Sequence, residues 1–350
     1  MKNILAGKTI LVTGGTGSIG SEIVKQALAQ DAAKVIVFSR DEIKHFLMKV
    51  IITDDRLKTI VGDVRSLRST EKAFDRFDID IIYHAAAMKH VVMCEDFPLE
   101  AVETNILGTQ NIVDLALKYG VSKMITVSTD KVAYPTNILG ATKFIAERIT
   151  LNGNSIRKNN QAFSCVRFGN VACSRGSVIP VFIENLLHKT PLLVTDTNVT
   201  RFVIEISDAV RLIMQATAYA QGGEIFILKM KAFRLGDLVD IILNEVAPKL
   251  GIVKENIEVN VTGLVQGEKL HEDLINNIES VRLYELNDMY VVLRDNEDHA
   301  LYPAIRKASL AKYVSNDVEL LSKEKLKALA VKYLNNHIIL GHSASELGNV

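Results

Sequence analysis

Residues 8–20 read KTILVTGGTGSIG, and this stretch decides the fold. Lys8–Thr13 is a short aliphatic and β-branched run, the composition of a buried strand. Thr13-Gly14-Gly15-Thr16-Gly17-Ser18-Ile19-Gly20 follows at once, and Ile19, Ile23, Ala27 and Leu28 then recur at helical spacing up to Gln30. Gly15, Gly17 and Gly20 satisfy G-x-G-x-x-G, while Gly14, Gly17 and Gly20 also satisfy G-x-x-G-x-x-G. Between a strand and a helix, such a turn lets bare backbone approach a pyrophosphate, whose charge is favoured at the helix N-terminus. Gly14, Thr16, Gly17, Ser18, Ile19 and Gly20 are therefore expected to hold a dinucleotide.

Working outward, strand and helix patterns alternate. Lys34–Phe38, Leu57–Val61, Asp80–His84, Lys123–Ser128 and Phe163–Arg167 read as further strands, with a helical Glu100–Tyr119 before the fifth. Fully apolar strands alternating with helices predict an α/β fold with a doubly wound, Rossmann-like parallel sheet. Beyond residue 172 the rhythm loosens, although Glu224–Leu228 and Asn287–Arg294 still read as strands and Ser322–Asn335 as a charged helix. The expected division is a dinucleotide-binding domain over residues 1–172 plus about 203–230. A smaller, interleaved C-terminal substrate domain is expected over about 173–202 plus 231–335, with 336–350 as a flexible tail.

Composition narrows the function. The 350 residues carry 41 Lys plus Arg against 41 Asp plus Glu, which disfavours a nucleic-acid coat protein or a polybasic membrane binder. No segment approaches the ~20 apolar residues of a membrane span. The three cysteines, Cys94, Cys165 and Cys173, have neither zinc-site nor disulfide spacing and read as small core residues of a cytoplasmic protein. No metal is expected. His90 and His271 lack the companions of a metal cluster and read as packing or capping residues.

The segment after the second strand selects the cofactor. An NAD site places a carboxylate there, whereas Phe38-Ser39-Arg40-Asp41 brings a hydroxyl and a guanidinium first. Arg40 can clamp a 2′-phosphate, Lys44 one turn on can assist, and Asp41 is the competing signal. NADP is the expected cofactor. Gly62-Asp63-Val64, His84-Ala85-Ala86-Ala87 and Asn105-Ile106-Leu107-Gly108-Thr109 are similar to segments of nucleotide-sugar short-chain dehydrogenases/reductases. The resemblance implies that Asp63 and Val64 meet the adenine. Ala85, Ala86 and Ala87 would let the cofactor ribose lie on backbone, and Asn105 would tie strands together near the site.

Ser128-Thr129-Asp130-Lys131 closes the fifth strand, and Gly140-Ala141-Thr142-Lys143 opens the next helix. Lys143 stands where the superfamily's Tyr-x-x-x-Lys pair places its lysine, but the tyrosine position holds Leu139. Tyr134, five residues earlier and beyond a proline, is a poor substitute. The run Ser128–Lys143, with Arg167–Val171, Ser174–Val178, Thr200-Arg201-Phe202, Gly222–Phe226 and Gly267-Glu268-Lys269-Leu270-His271-Glu272, resembles the UDP-N-acetylglucosamine 4,6-dehydratases of bacterial polysaccharide biosynthesis.

That resemblance implies a reaction with no net use of cofactor. Carbon 4 is oxidised, water is lost across carbons 5 and 6, and carbon 6 is reduced. Asp130 would protonate the leaving hydroxyl, Lys131 would take the carbon 5 proton, and Thr129 would hydrogen-bond the carbon 4 oxygen. Lys143 would hold the nicotinamide ribose. In place of the missing tyrosine, Asp130, or Thr129 relayed through Lys143, would accept the carbon 4 proton. Lys89, Asn170, Val178 and Arg201 would line the UDP site, with Glu268 and Lys269 at its edge. Relatives carry Arg-Pro before Gly-Glu-Lys; here Val265 and Gln266 stand there, so Arg282 is one candidate for a replacement clamp. A homo-oligomer is expected. The alternatives are a nucleotide-sugar 4-epimerase or 4-ketoreductase on the same scaffold, and a non-catalytic NADP-binding regulator.

Overall fold

The computed structural model describes residues 3–157, 160–295, 297–302 and 305–339. The six expected strands form: β1 (Thr9–Thr13), β2 (Lys34–Ser39), β3 (Leu57–Val61), β4 (Ile81–His84), β5 (Lys123–Val127) and β6 (Ala162–Arg167). They lie in the order 3-2-1-4-5-6 and all pair in parallel. Ile225–Leu228 adds a seventh parallel strand beside β6. This is the Rossmann-like, doubly wound arrangement, in which strand order reverses at β1 and leaves a crevice at the carboxyl ends of β1 and β4.

Burial explains why these segments are strands. Leu11, Ile36, Phe38, Ile82, Met124 and Phe163 share one core cluster with Ala73, Phe74, Ile112, Leu115 and Ala116 from helices Leu67–Arg76 and Gly108–Lys118. Each such large apolar side chain contributes roughly 1.5–3 kcal/mol by leaving water. The helix Ser18–Ala29 buries Ile23, Val24, Ala27 and Leu28, which include three of its four expected core positions.

The chain divides into two compact units, and the division departs from the expected one. The first comprises 1–168, Ile206–Lys229 and Leu274–Lys312; the second comprises Gly169–Glu205, Met230–Asp273 and the chain from Tyr313 on. Residues 274–312 therefore leave the smaller domain and join the larger one. The reason is hydrogen bonding: Met289–Val292 pairs antiparallel with Ile225–Leu228, and Leu283–Glu285 and Arg306–Lys307 extend the sheet to ten strands. The second unit has its own core around Phe182, Ile183, Leu238, Ile242 and Leu326. It holds a three-stranded sheet in the order Lys231–Arg234, Thr200–Ile204, Asn170–Val171. The terminal helix runs Lys323–Ile339, so positions 336–339 of the expected tail are helical, and 340–350 lie outside the described residues.

Two local readings also change. The helix expected over Glu100–Tyr119 contains a π-helical turn, Val102–Leu107, which inserts one residue per turn and carries Asn105 into the interior. Cys94 and Cys165 are fully buried, but Cys173 is only partly buried. No helix among the described residues is long and apolar enough to cross a membrane.

Candidate active site

The glycine turn is built by close approach. Gly14 has φ 65, and a Cβ there would lie 2.8 Å from Ala85 O and from the Ala86 backbone. A Cβ at Gly20 would lie 2.2 Å from Gly14 O. The turn after β1 is thus pressed against the segment after β4 and against the first turn of helix Ser18–Ala29. Gly17 occupies the N-cap and offers no side chain to the first-turn amides, whereas Asp41, Ser66 and Asn137 cap three neighbouring helices. Bare backbone and uncapped amides at a helix N-terminus suit a pyrophosphate. Thr16, Ser18 and Ile19 lie in the same turn, and Ala85, Ala86 and Ala87 follow β4 half-buried.

At the end of β2, Ser39 Oγ meets Thr16 Oγ1 at 2.9 Å and His45 Nε2 at 2.9 Å. Burial lowers the His45 pKa. Arg40 is more than half exposed and stands 3.7 Å from Asp63. Asp41, the rival carboxylate, caps the helix Glu42–Ile51 by accepting from the Lys44 amide, and it also pairs with Lys44 Nζ at 2.5 Å. Lys44 is therefore committed to its own helix turn. Asp63 is forked by Arg65, with Nε at 2.8 Å and Nη2 at 2.7 Å. Burial alone would raise the Asp63 pKa, but hydrogen bonds from Arg65 outweigh it and hold the carboxyl below its usual range. Val64 is buried beneath Gly108.

The catalytic candidates converge at the end of β5. Asp130 is fully buried; its Oδ1 accepts from Thr129 Oγ1 at 2.8 Å and from Lys131 Nζ at 3.0 Å. Its Oδ2 and the Ser128 hydroxyl are buried and make no hydrogen bond among the described residues. A buried carboxylate oxygen without a protein donor costs about 1–3 kcal/mol or more. The helix Ile138–Ile156 is brought close by Gly140, where a Cβ would stand 2.4 Å from Lys131 O. From that helix Lys143 Nζ donates to Val127 O at 2.6 Å. Burial pulls the Lys143 pKa down to about 8, although Cys165 and Glu147 act to raise it.

Leu139 offers no proton. It is buried against Cys94 and Ala101, with Met88, Val91 and Ile138 packed around them. Tyr134 accepts a hydrogen bond from the Asn277 amide at 3.0 Å, which holds its hydroxyl in a loop contact. Asn105 is a staple, but not between strands. Its Oδ1 accepts from Met88 N at 2.8 Å and its Nδ2 donates to Thr142 Oγ1 at 3.0 Å, tying the segment after β4 to the Lys143 helix. Lys89 is exposed on that same segment.

Asn170, Val178, Arg201, Glu268 and Lys269 all belong to the second unit. Arg201 is nearly buried and already engaged: Nη2 donates to Glu268 at 2.7 Å, and Nη1 to Thr200 O at 2.8 Å. Lys269 stands 3.3 Å from Asp273, and His271 Nδ1 meets Thr200 Oγ1 at 2.8 Å, a packing role. Val178 begins the helix Val178–Leu187, and Asn170 begins a two-residue strand. Arg282 belongs to the first unit, near Gly223 and the start of strand Ile225–Leu228. That is the amino end of the parallel sheet, opposite the glycine turn.

Comparison with known proteins agrees with this architecture. A family described as polysaccharide biosynthesis protein matches residues 10–294. The chain belongs to that family. A UDP-N-acetylglucosamine 4,6-dehydratase (inverting) of Campylobacter jejuni is 39% identical over 82% of this chain and 83% of its own length. A UDP-glucose 4-epimerase of Rickettsia bellii is 35% identical over 92% of this chain and 95% of its own length. Among solved structures, Pen from Bacillus thuringiensis superposes with a TM-score of 0.86 at 37% identity, covering 94% of this chain and 98% of that one.

In this member of the family, three features escaped the sequence reading. Arg65, which forks Asp63, lies one residue past the segment quoted for the adenine site. His84 ends β4 buried, bridging Thr13 Oγ1 at 2.7 Å and Thr109 Oγ1 at 3.0 Å; burial, with a push from Lys143, lowers its pKa to about 3. The third is a fully buried ionic triad. Arg167 forks Glu147 at 2.7 and 2.6 Å and Glu279 at 2.8 and 2.7 Å, and Glu147 is one turn from Lys143. No local pattern announces partners so far apart in the chain.

Proposed function

We propose that the protein is an NADP-dependent nucleotide-sugar 4,6-dehydratase acting on UDP-N-acetylglucosamine. The single observation that carries this reading is the buried Thr129–Asp130–Lys131 cluster, with an undonated carboxylate oxygen where no tyrosine is present. The glycine turn fits a dinucleotide, with Gly14, Thr16, Gly17, Ser18, Ile19 and Gly20 at the pyrophosphate. Ser39 and Arg40 would hold the 2′-phosphate, Asp63 with Val64 the adenine, and Ala85–Ala87 with Lys143 the riboses. The chemistry that a bound nicotinamide supplies is reversible redox at a sugar carbon.

The protein's own groups can complete the proton balance. Asp130 as carboxylate accepts the proton of the carbon 4 hydroxyl as that carbon is oxidised, the task a tyrosine at 139 would have had. The protonated acid then donates to the leaving carbon 6 hydroxyl, which departs as water. Lys131, neutral, takes the carbon 5 proton made acidic by the ketone and returns it to carbon 5 when carbon 6 is reduced. The 3.0 Å Lys131–Asp130 contact keeps the two groups close enough to serve neighbouring carbons of one sugar. Thr129 steadies the shared carboxylate and can reach the carbon 4 oxygen. Lys89, Asn170, Val178, Arg201, Glu268 and Lys269 are assigned to the UDP moiety. The same reading has the enzyme act in the cytoplasm and as a homo-oligomer.

Incubation with UDP-N-acetylglucosamine should yield a 4-keto-6-deoxy product by mass spectrometry and proton NMR, with loss of one water and no accumulation of NADPH. A second reading, 4-epimerisation, is favoured by the Rickettsia relatives. A product that is only the 4-epimer would replace the first reading with the second.

A further inference from the structure

We infer that the first unit carries a second anion site, for a phosphate-bearing small molecule, at the amino end of its sheet. A cavity of about 460 Å³ opens there among Arg148, Gly223, Ile225, Glu279, Arg282 and Arg294. Its position is set by pairing. Ile225 begins the strand beside β6, Val292 lies opposite it, and Gly223 N donates to Phe163 O at 2.9 Å. The glycine turn follows the carboxyl end of β1, so the two sites stand at opposite ends of the strands.

The charge balance argues for a ligand. Glu279 is the one acidic residue lining the cavity, and the buried Arg167 already takes both of its oxygens. Arg148, half-exposed, approaches Glu279 only at 3.5 Å and rests its guanidinium over the Phe144 ring at 4.7 Å. Arg167, Arg148, Glu147 and Glu279 together are neutral. Arg282 and Arg294 remain, two cations in one cavity with no lining carboxylate left for them. Arg282 donates to the Arg294 carbonyl, and the Arg294 guanidinium has no partner among the described residues. Guanidinium pairs of this kind match the planar, bidentate geometry of phosphate oxygens, and a dianion would cancel their mutual repulsion.

Occupancy would also reach the reaction centre. An anion drawing Arg148 away from Glu279 alters the partner of Arg167, which grips Glu147, one turn from Lys143. The class of ligand is therefore a phosphate or pyrophosphate group, free or carried by a metabolite.

The test is calorimetric titration with sodium pyrophosphate at low ionic strength, using the full chain. A saturable site with a dissociation constant under about 1 mM is expected, since two charge-assisted contacts suffice for that affinity. Arg282→Gln with Arg294→Gln should weaken it at least about tenfold, while the charge-matched control Arg68→Gln with Arg211→Gln leaves it unchanged. Both pairs should keep the wild-type melting temperature. No saturable binding, or equal binding by the two double variants, overturns the site; the latter assigns the pyrophosphate to the glycine turn instead. Inorganic phosphate, run in parallel, separates a single-phosphate site from one that needs the diphosphate.

Discussion

Replacing Lys143 by methionine should make the protein more stable at pH 7 while it abolishes turnover. Lys143 is buried, and burial lowers its pKa from 10.5 to about 8. The folded state thus holds its proton less tightly than the unfolded chain. Below pH 8 both states are charged and the folded state bears the full cost, about 3 kcal/mol for a fall from 10.5 to about 8. Between pH 8 and 10.5 the unfolded chain binds more protons, so this cost falls as pH rises. Against it stands the 2.6 Å bond to Val127 O, worth about 1–1.5 kcal/mol, while methionine keeps most of the lysine stem's packing. Lys143→Met should therefore gain about 2 kcal/mol at pH 7 and lose the gain by pH 10.5. Urea midpoints measured at pH 7 and 9.5 check it. A variant less stable than wild type at pH 7, or a difference that is the same at both pH values, would refute the buried-charge reasoning.

Arg40→Ala should narrow the preference for NADP over NAD by about tenfold, one charge-assisted contact at a half-exposed site; an unchanged affinity ratio removes Arg40 from the 2′-phosphate. Asp130→Asn should cut turnover by about 10²–10⁴-fold with the melting temperature preserved, and a loss of only a few-fold sinks its acid–base role. Arg167→Met should destabilise by about 3–5 kcal/mol, because it strands two buried carboxylates. Adding Glu147→Leu and Glu279→Leu should restore most of that in a urea titration; no recovery would show that the triad's worth lies in packing rather than charge.

What could be read from residues alone follows the range of each interaction. The turn at 13–20 was legible because its demand for glycine is local, and the parallel, doubly wound sheet followed from the alternation of apolar strands with helices, whereas its strand order did not. Thr129, Asp130 and Lys131 were legible as adjacent residues at a strand end, and the structure brings their side chains together. Leu283–Glu285 and Met289–Val292 were misassigned to the smaller domain. They are short and antiparallel, and nothing nearby in sequence says that Met289–Val292 pairs with Ile225–Leu228 and so carries Leu283–Glu285 into the large sheet. Asn105 was picked out but its task was not, because a π-helical turn is a change of hydrogen-bond register that leaves no mark in composition. The Arg167 triad joins positions 20 and 112 residues apart, a pairing that only the fold reveals.

The interleaving of the two units has a consequence for how the protein is made. The chain passes from one unit to the other five times, and neither is complete in any continuous fragment. As the polypeptide is synthesised, Ile225–Leu228 can dock on β6 long before Met289–Val292 arrives to cover its other side. During that interval the nascent sheet ends in an uncovered, wholly apolar strand, the kind of edge that recruits neighbouring chains. Expression yield should then depend on chaperone supply and temperature more than the finished molecule's stability suggests. A split at any loop between Thr9–Thr13 and Arg306–Lys307 would divide the ten-stranded sheet between two fragments.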